Sequence, residues 1–185
     1  HFFEDITEAE VRENLNKAQS LPTVSGGRAV DVFQIDDGWQ RVWGDWTADE
    51  GFPSGMEALA QDIQAAGFIP GLWMAPFYVD RSTSTYRDHP DWWVRDLEGE
   101  EIAFRNLNTG DYAILDVTHP DAASWLHDVI ASKVEEGWQY LKLDFLYAGA
   151  EMGIRHQDVT GIQAFHQGMS IMREAAGDAW ILACG

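Results

Sequence analysis

Cationic side chains are scarce in this sequence: 12 Lys and Arg stand against 31 Asp and Glu, a formal net charge of -19. A phosphate backbone needs a basic surface, so this balance argues against a nucleic-acid partner. It argues equally against an anionic membrane face. No apolar run approaches the ~20 residues of a membrane span, so no membrane association is expected. Cys184 is the single cysteine, which rules out an internal disulfide and fits a cytoplasmic location. The chain does not open with the charged-then-apolar layout of a signal peptide. Neither a G-x-G-x-x-G fingerprint nor a P-loop occurs. The six histidines, at positions 1, 89, 119, 127, 156 and 166, show no zinc-ligand spacing. No metal and no organic cofactor is therefore expected.

What is present is globular in character. Hydrophobic residues make up 45% of the 185 positions and aromatics 12%, too much apolar matter for a disordered chain. That length supports one domain with a core. Nine tryptophans are many for this size. Aromatic planes stack on sugar rings, although for any single Trp core filling is the ordinary role. The chain opens His1-Phe2-Phe3 without Met and stops at Gly185, after the apolar run Trp180-Ile181-Leu182-Ala183-Cys184. A domain seldom ends on a core strand. The expectation is one partial domain over residues 1–185, cut at both ends from a longer protein.

Short apolar runs at 30–36, 68–74, 112–117, 140–145 and 180–184 suit parallel strands covered on both faces. A stub at 1–3 resembles the end of one more. Helix signals fall between them. Thr7-x-x-Glu10 and Ser54-x-x-Glu57 are capping boxes; the second leads a face of Met56, Leu59, Ala60 and Ile63. Thr118, with Pro120 in the first turn, is expected to cap a third helix that stops at Gly137. A fourth carries Ile162, Phe165, Met169 and Met172, with Gly177 after it. This alternation fits a doubly wound sheet or a (β/α)8 barrel. The open sheet commonly shows a Gly-rich phosphate loop, absent from this chain. Acidic residues instead stand at strand C-terminal ends (Asp36, Asp37, Asp116, Asp144), the rim from which a barrel builds its site. The fold class is read as α/β, a (β/α)8 TIM barrel present only in part, about strands 1 to 6. The long connection 75–111 either shapes a substrate pocket or is a packed excursion.

Three clusters carry chemistry. Asp36 and Asp37 close a strand side by side, and buried carboxylates need partners. Sugar hydroxyls, a hard cation, or an N-cap with a salt bridge would each supply them. Lys142 and Asp144 share one strand face. The lysine would hold the aspartate ionised, as a glycosidase nucleophile requires; a structural ion pair is the alternative. Trp73 ends a strand, where it either walls an apolar sugar face or fills the core. Cys184 also ends a strand, a place where a lone Cys is more often inert packing.

The runs HFFEDIT, VFQIDDGWQ, GDW, FPSGMEALAQDIQAAGFIPGLWMAPF, HPDWWV, LDVTHP, YLKLDFLYAGA and ILACG resemble glycoside hydrolase family 36, most closely its bacterial α-galactosidases. The resemblance covers nearly the whole chain, in order, and the IDDGW and KLDF elements together are specific. It implies a barrel enzyme that removes terminal α-galactose from α-galactoside sugars with retention. Asp144 matches the nucleophile, and Lys142 the lysine on sugar hydroxyls. Asp36 and Asp37 match the pair on the O4 and O6 side of galactose, Trp73 a pocket-wall tryptophan, and Cys184 a cysteine beside the sugar. The family's acid/base is an Asp after the sixth strand, which is expected beyond Gly185. Three other readings remain: galactosyl transfer to sugars, as in plant relatives; a non-catalytic galactose-binding barrel; and a metal-dependent hydrolase using Asp36 and Asp37.

Overall fold

The computed structural model of the chain describes residues 5–21, 30–106 and 110–185. The expected strand stub at 1–3 lies outside them. Helix α1 (Glu8–Gln19) starts where the sequence places it. The Thr7 N–H and hydroxyl both donate to the Glu10 carboxylate, at 2.9 and 2.8 Å, and Val11 and Leu15 form its buried stripe. Strand β1 (Val32–Ile35) leads into an antiparallel hairpin, β2 (Gln40–Val42) and β3 (Asp45–Ala48).

Helix α2 (Met56–Ala65) buries Met56, Leu59, Ala60 and Ile63, the face read from its spacing. The expected Ser54 capping box does not form. The Ser54 N–H and hydroxyl donate instead to Glu8, at 2.9 and 2.7 Å, and Gly55 takes the N-cap position with φ 80°. Glu8 is only 7% exposed, and a buried carboxylate needs donors more than a helix start needs an acceptor.

Strand β4 (Ile69–Met74) is followed by β5 (Tyr78–Asp80), α3 (Ser84–Asp88), β6 (Ala103–Asn106) and β7 (Gly110–Ile114). Helix α4 (Pro120–Glu135), strand β8 (Tyr140–Leu143), a 3-10 turn (Leu146–Ala150), helix α5 (Gly161–Ala176) and strand β9 (Trp180–Ala183) complete the chain. Strands β1, β4, β8 and β9 pair side by side in that order, all parallel. Among the described residues this sheet is open.

The strand expected at 112–117 is not in that sheet. β4 hydrogen-bonds directly to β8, so no edge is free between them. β7 pairs antiparallel with β5 and β6 instead, and the Leu115 N–H donates to the Phe77 carbonyl at 2.9 Å. The apolar character of 112–117 is genuine, but it serves a small second sheet built by the long connection. The described residues thus hold four barrel-type strands, one fewer than the sequence suggests.

Two helix starts and faces also differ. Thr118 does not cap α4: its hydroxyl donates to Asp116 at 2.7 Å, and the His119 ring nitrogen Nδ1 accepts from the Asp121 N–H at 3.2 Å. Gly137 follows the α4 C-cap with φ 101°, as expected. On α5 the buried face is Ala164, Gly168, Met172 and Ala176, while Ile162 is 60% exposed. Small residues face inward because the Phe77 ring presses on this helix, and a Cβ at position 168 would sit 2.7 Å from it.

Gly161, the first residue of α5, meets the backbone carbonyl of Ala150, and a Cβ there would also lie 2.9 Å from the Glu151 carbonyl. Ala normally stabilises a helix over Gly by about 1 kcal/mol. We expect Gly161→Ala to destabilise the intact protein by about 1–3 kcal/mol, because a rigid backbone cannot yield. Thermal melting checks this, and a raised Tm would contradict it.

Candidate active site

The ends of β1, β4 and β8 meet at one rim. Ile35 pairs with Leu72 and Leu143 with Met74, so the next residues along, Asp36 and Asp144, emerge on either side of the β4 end. Lys142 projects between them. Its Nζ lies 3.0 and 3.3 Å from the two Asp36 oxygens and 3.7 Å from Asp144 Oδ2. The sequence reading paired Lys142 with Asp144; the tighter contact is to Asp36, across the intervening strand.

Asp144 is held by other donors. The Trp73 Nε1–H donates to its Oδ2 at 3.0 Å, and the Phe145 backbone N–H to its Oδ1 at 2.8 Å. Burial would raise the carboxyl pKa. The Trp73 and Phe145 hydrogen bonds, one from the Cys184 side chain and the field of Lys142 together overcome it, and the pKa falls below its ordinary value. Hydrogen bonds to the charged form thus act beside the Lys142 cation in holding Asp144 ionised. For Lys142, burial opposes the charge, but Asp36 foremost, then Asp144 and Cys184, raise its pKa.

Asp36 and Asp37 diverge. Asp36 is exposed and accepts from Lys142, from Gln34 Nε2 at 3.1 Å and from the Asp37 N–H at 3.0 Å. Asp37 turns inward, where Gln40 Nε2 and Trp43 Nε1 donate to its Oδ1 at 2.6 and 3.1 Å. Burial raises the Asp37 pKa, the charge of Asp36 adds to that, and the Gln40, Trp43 and Gly38 donors resist it. Both carboxylates already accept from amide, indole or ammonium donors, which disfavours a shared hard cation.

Trp73 is 2% exposed. Its ring lies against Trp43, Trp46 and Phe145 with its N–H aimed at Asp144, so one side chain is both core and site. The Trp39 Nε1–H donates to the Trp73 carbonyl at 2.9 Å, tying the loop after β1 to the β4 end. Cys184 is a half-buried free thiol. Asp116, the fourth acid at a strand end by sequence, serves elsewhere. It is 2% exposed and accepts from Thr118 and from the His156 N–H, stapling the segment before α5 to the start of α4.

A Melibiase family profile matches residues 9–172. The chain belongs to the Melibiase family. Its similarity to TtGalA, an α-galactosidase from Thermus thermophilus solved with p-nitrophenyl α-D-galactopyranoside, is 37% identity at a TM-score of 0.86, over 99% of this chain and 36% of that one. Alpha-galactosidase AgaA of Geobacillus stearothermophilus is 29% identical over 112 residues, 56% of this chain and 15% of that protein. The AgaA crystal structure matches at a TM-score of 0.75 and 20% identity, over 98% of this chain and 26% of that one, a likeness of fold alone. The chain therefore spans between about a seventh and about a third of the length of these relatives. The four parallel strands of the chain are part of a (β/α)8 barrel.

Several residues that shape this site lie in or beside the quoted runs, but nothing in those runs gives them a role. Gln34, Gln40 and Trp43 act through side-chain hydrogen bonds across turns, and Phe145 through its backbone N–H. Only the alternation of strand β1 hinted at Gln34, which shares a face with Asp36. Because Trp73 donates to the ionised form of Asp144, Trp73→Phe is expected to raise the Asp144 pKa. A native pKa below the unfolded value gives stability that is present above the unfolded pKa and lost as pH falls through the native one. The variant narrows that window from the acid side. Carbon-13 NMR titration of aspartate side chains in the intact protein reads the shift; an unchanged Asp144 midpoint would contradict the assignment.

Proposed function

We propose that the protein carrying this chain hydrolyses terminal α-D-galactosyl residues from α-galactosides of the melibiose and raffinose type, with retention, and that Asp144 is its nucleophile. The observation that carries the reading is the Asp144 carboxylate, kept ionised at a barrel-strand end by one donor on each oxygen with a lysine 3.7 Å away. Asp144 attacks the anomeric carbon, the glycosidic bond breaks, and a galactosyl-Asp ester forms. A second carboxyl group protonates the departing oxygen, then takes a proton from the water that cleaves the ester.

In the same reading Asp36 and Asp37 accept from the O4 and O6 hydroxyls of galactose, and Lys142 donates to a sugar hydroxyl. Trp73 and Cys184 flank the ring. The family resemblance assigns the acid/base to an Asp after the sixth barrel strand; Asp36, paired with Lys142, and Asp37, accepting from Gln40 and Trp43, are read as sugar-binding groups instead. Support comes from the relatives: TtGalA is an α-galactosidase solved with a nitrophenyl α-galactoside and with stachyose, and AgaA with raffinose.

Asp144→Ala in the intact protein is expected to cut turnover of a nitrophenyl α-galactoside by on the order of 10⁴-fold or more. Added azide should then restore release of nitrophenol and give a β-galactosyl azide, since the anion enters the face that the carboxylate vacated. Activity near the parent level would remove Asp144 from the role. Transfer of galactose to raffinose by the parent protein, in place of hydrolysis, would move the protein to the transferase reading.

A further inference from the structure

Among the described residues, Gln40 holds a buried oxygen that no group satisfies. The residue is 7% exposed, its Nε2 donates to Asp37 Oδ1 at 2.6 Å, and its Oε1 has no hydrogen-bond partner. An ionised carboxylate can only accept, so the amide turns its NH2 to Asp37 and strands its oxygen. A buried polar atom without a partner destabilises a fold, and an apolar side chain of the same length would avoid that. Gln40 therefore serves something other than packing, and the group its amide touches is Asp37.

A second donor lands on the same oxygen. Trp43, in the turn between β2 and β3, gives its Nε1–H to Asp37 Oδ1 at 3.1 Å. Among the described residues no side chain donates to Oδ2, and Asp37 is half-buried. Trp43 is fixed from its other side by the small second sheet. Its ring stacks on Tyr112 of β7 at 4.4 Å, and its carbonyl accepts from the Asp80 N–H of β5 at 2.8 Å. Gly44, next in the turn, has φ 90°, and a Cβ there would lie 2.7 Å from the Val79 side chain, so the turn rests directly on β5. The long connection thereby braces the hairpin that grips Asp37.

We propose that Gln40 and Trp43 are positioning residues for substrate binding: the β2–β3 hairpin, braced on the second sheet, brings two donors to one oxygen of Asp37 and leaves the other for a sugar hydroxyl. The inference rests on the reading of Asp37 as a galactose contact. The two donors restrict rotation of the carboxylate and favour its ionised form against burial. A hydroxyl donates more strongly to a carboxylate than to a neutral acid.

The test compares Gln40→Met and Trp43→Phe with the parent, in the intact protein, on nitrophenyl α-D-galactopyranoside and on its 4-deoxy and 6-deoxy analogues. Each variant removes one donor and keeps most of the side chain's bulk. KM on the full substrate should rise about 10-fold in each. Turnover should stay within about 3-fold, because the hydroxyl contact is made alike in ground and transition states. The acid limb of kcat/KM should move to higher pH, since losing a donor raises the Asp37 pKa further. The Tm of Gln40→Met should stay close to the parent's, because the stranded oxygen leaves with the lost hydrogen bond. The KM penalty should shrink to within about 2-fold on the analogue that lacks the hydroxyl taken by Asp37. A structural role alone predicts a lowered Tm and an equal penalty on all of these substrates, and that pattern overturns the proposal. Asp37→Asn separates the two levels. A raised KM in Asp37→Asn beside an unchanged KM in both donor variants overturns the positioning role alone. A parent-like KM in Asp37→Asn overturns the reading of Asp37 as a sugar contact.

Discussion

The parallel register of β1, β4 and β8 governs the site. Because Ile35 stands beside Leu72 and Leu143 beside Met74, β4 and β8 end level and β1 two residues earlier, and Asp36, Trp73 and Asp144 arrive at one rim without any loop having to carry them. Strands place side chains more precisely than loops do. A slip of one residue in β8 would exchange its faces and turn both Lys142 and Asp144 away from that rim. Lys142 then acts as the shared cation. Its partner Asp36 has a side chain 58% exposed, and a pair of that kind contributes about 0–1 kcal/mol. Its value is electrostatic: in a chain of net charge -19, it is the cation set between these two strand-end carboxylates.

Around the charges lies an aromatic shell. Trp43 stacks on Tyr112 at 4.4 Å and touches Trp73 and Phe145, and its indole N–H reaches Asp37. This shell excludes water from one side of the carboxylates, which by itself would protonate them, and supplies the indole donors that reverse the effect for Asp144. The balance differs for Asp37, where burial wins and the pKa rises. Two acids beside this cluster, Asp37 and Asp144, are thereby pushed in opposite directions.

Much of this was legible in the sequence because it obeys short-range rules. The strands at β1, β4, β8 and β9, the α1 capping box and the α2 apolar face follow from periodicity and caps. The acids Asp36, Asp37 and Asp144 were visible as charges at the ends of apolar runs. Failures came where a competing partner decided the outcome. Glu8 took Ser54 from the start of α2, and Asp116 took Thr118 from α4. The 112–117 run has the composition of a barrel strand, yet β4 and β8 leave it no edge. Lys142 reaches past β4 to Asp36, which spacing along one strand cannot reveal. The left-handed conformation of Phe145 is announced by no helix or strand propensity.

The claim that these strand ends form a single galactose site is tested most directly by a crystal structure of the intact Asp144→Asn protein soaked with an α-galactoside. The account predicts galactose hydroxyls on Asp36, Asp37 and Lys142, with the anomeric carbon about 3–3.5 Å from the side chain at position 144. A sugar bound away from this rim, or bound with its anomeric carbon turned from position 144, would contradict it.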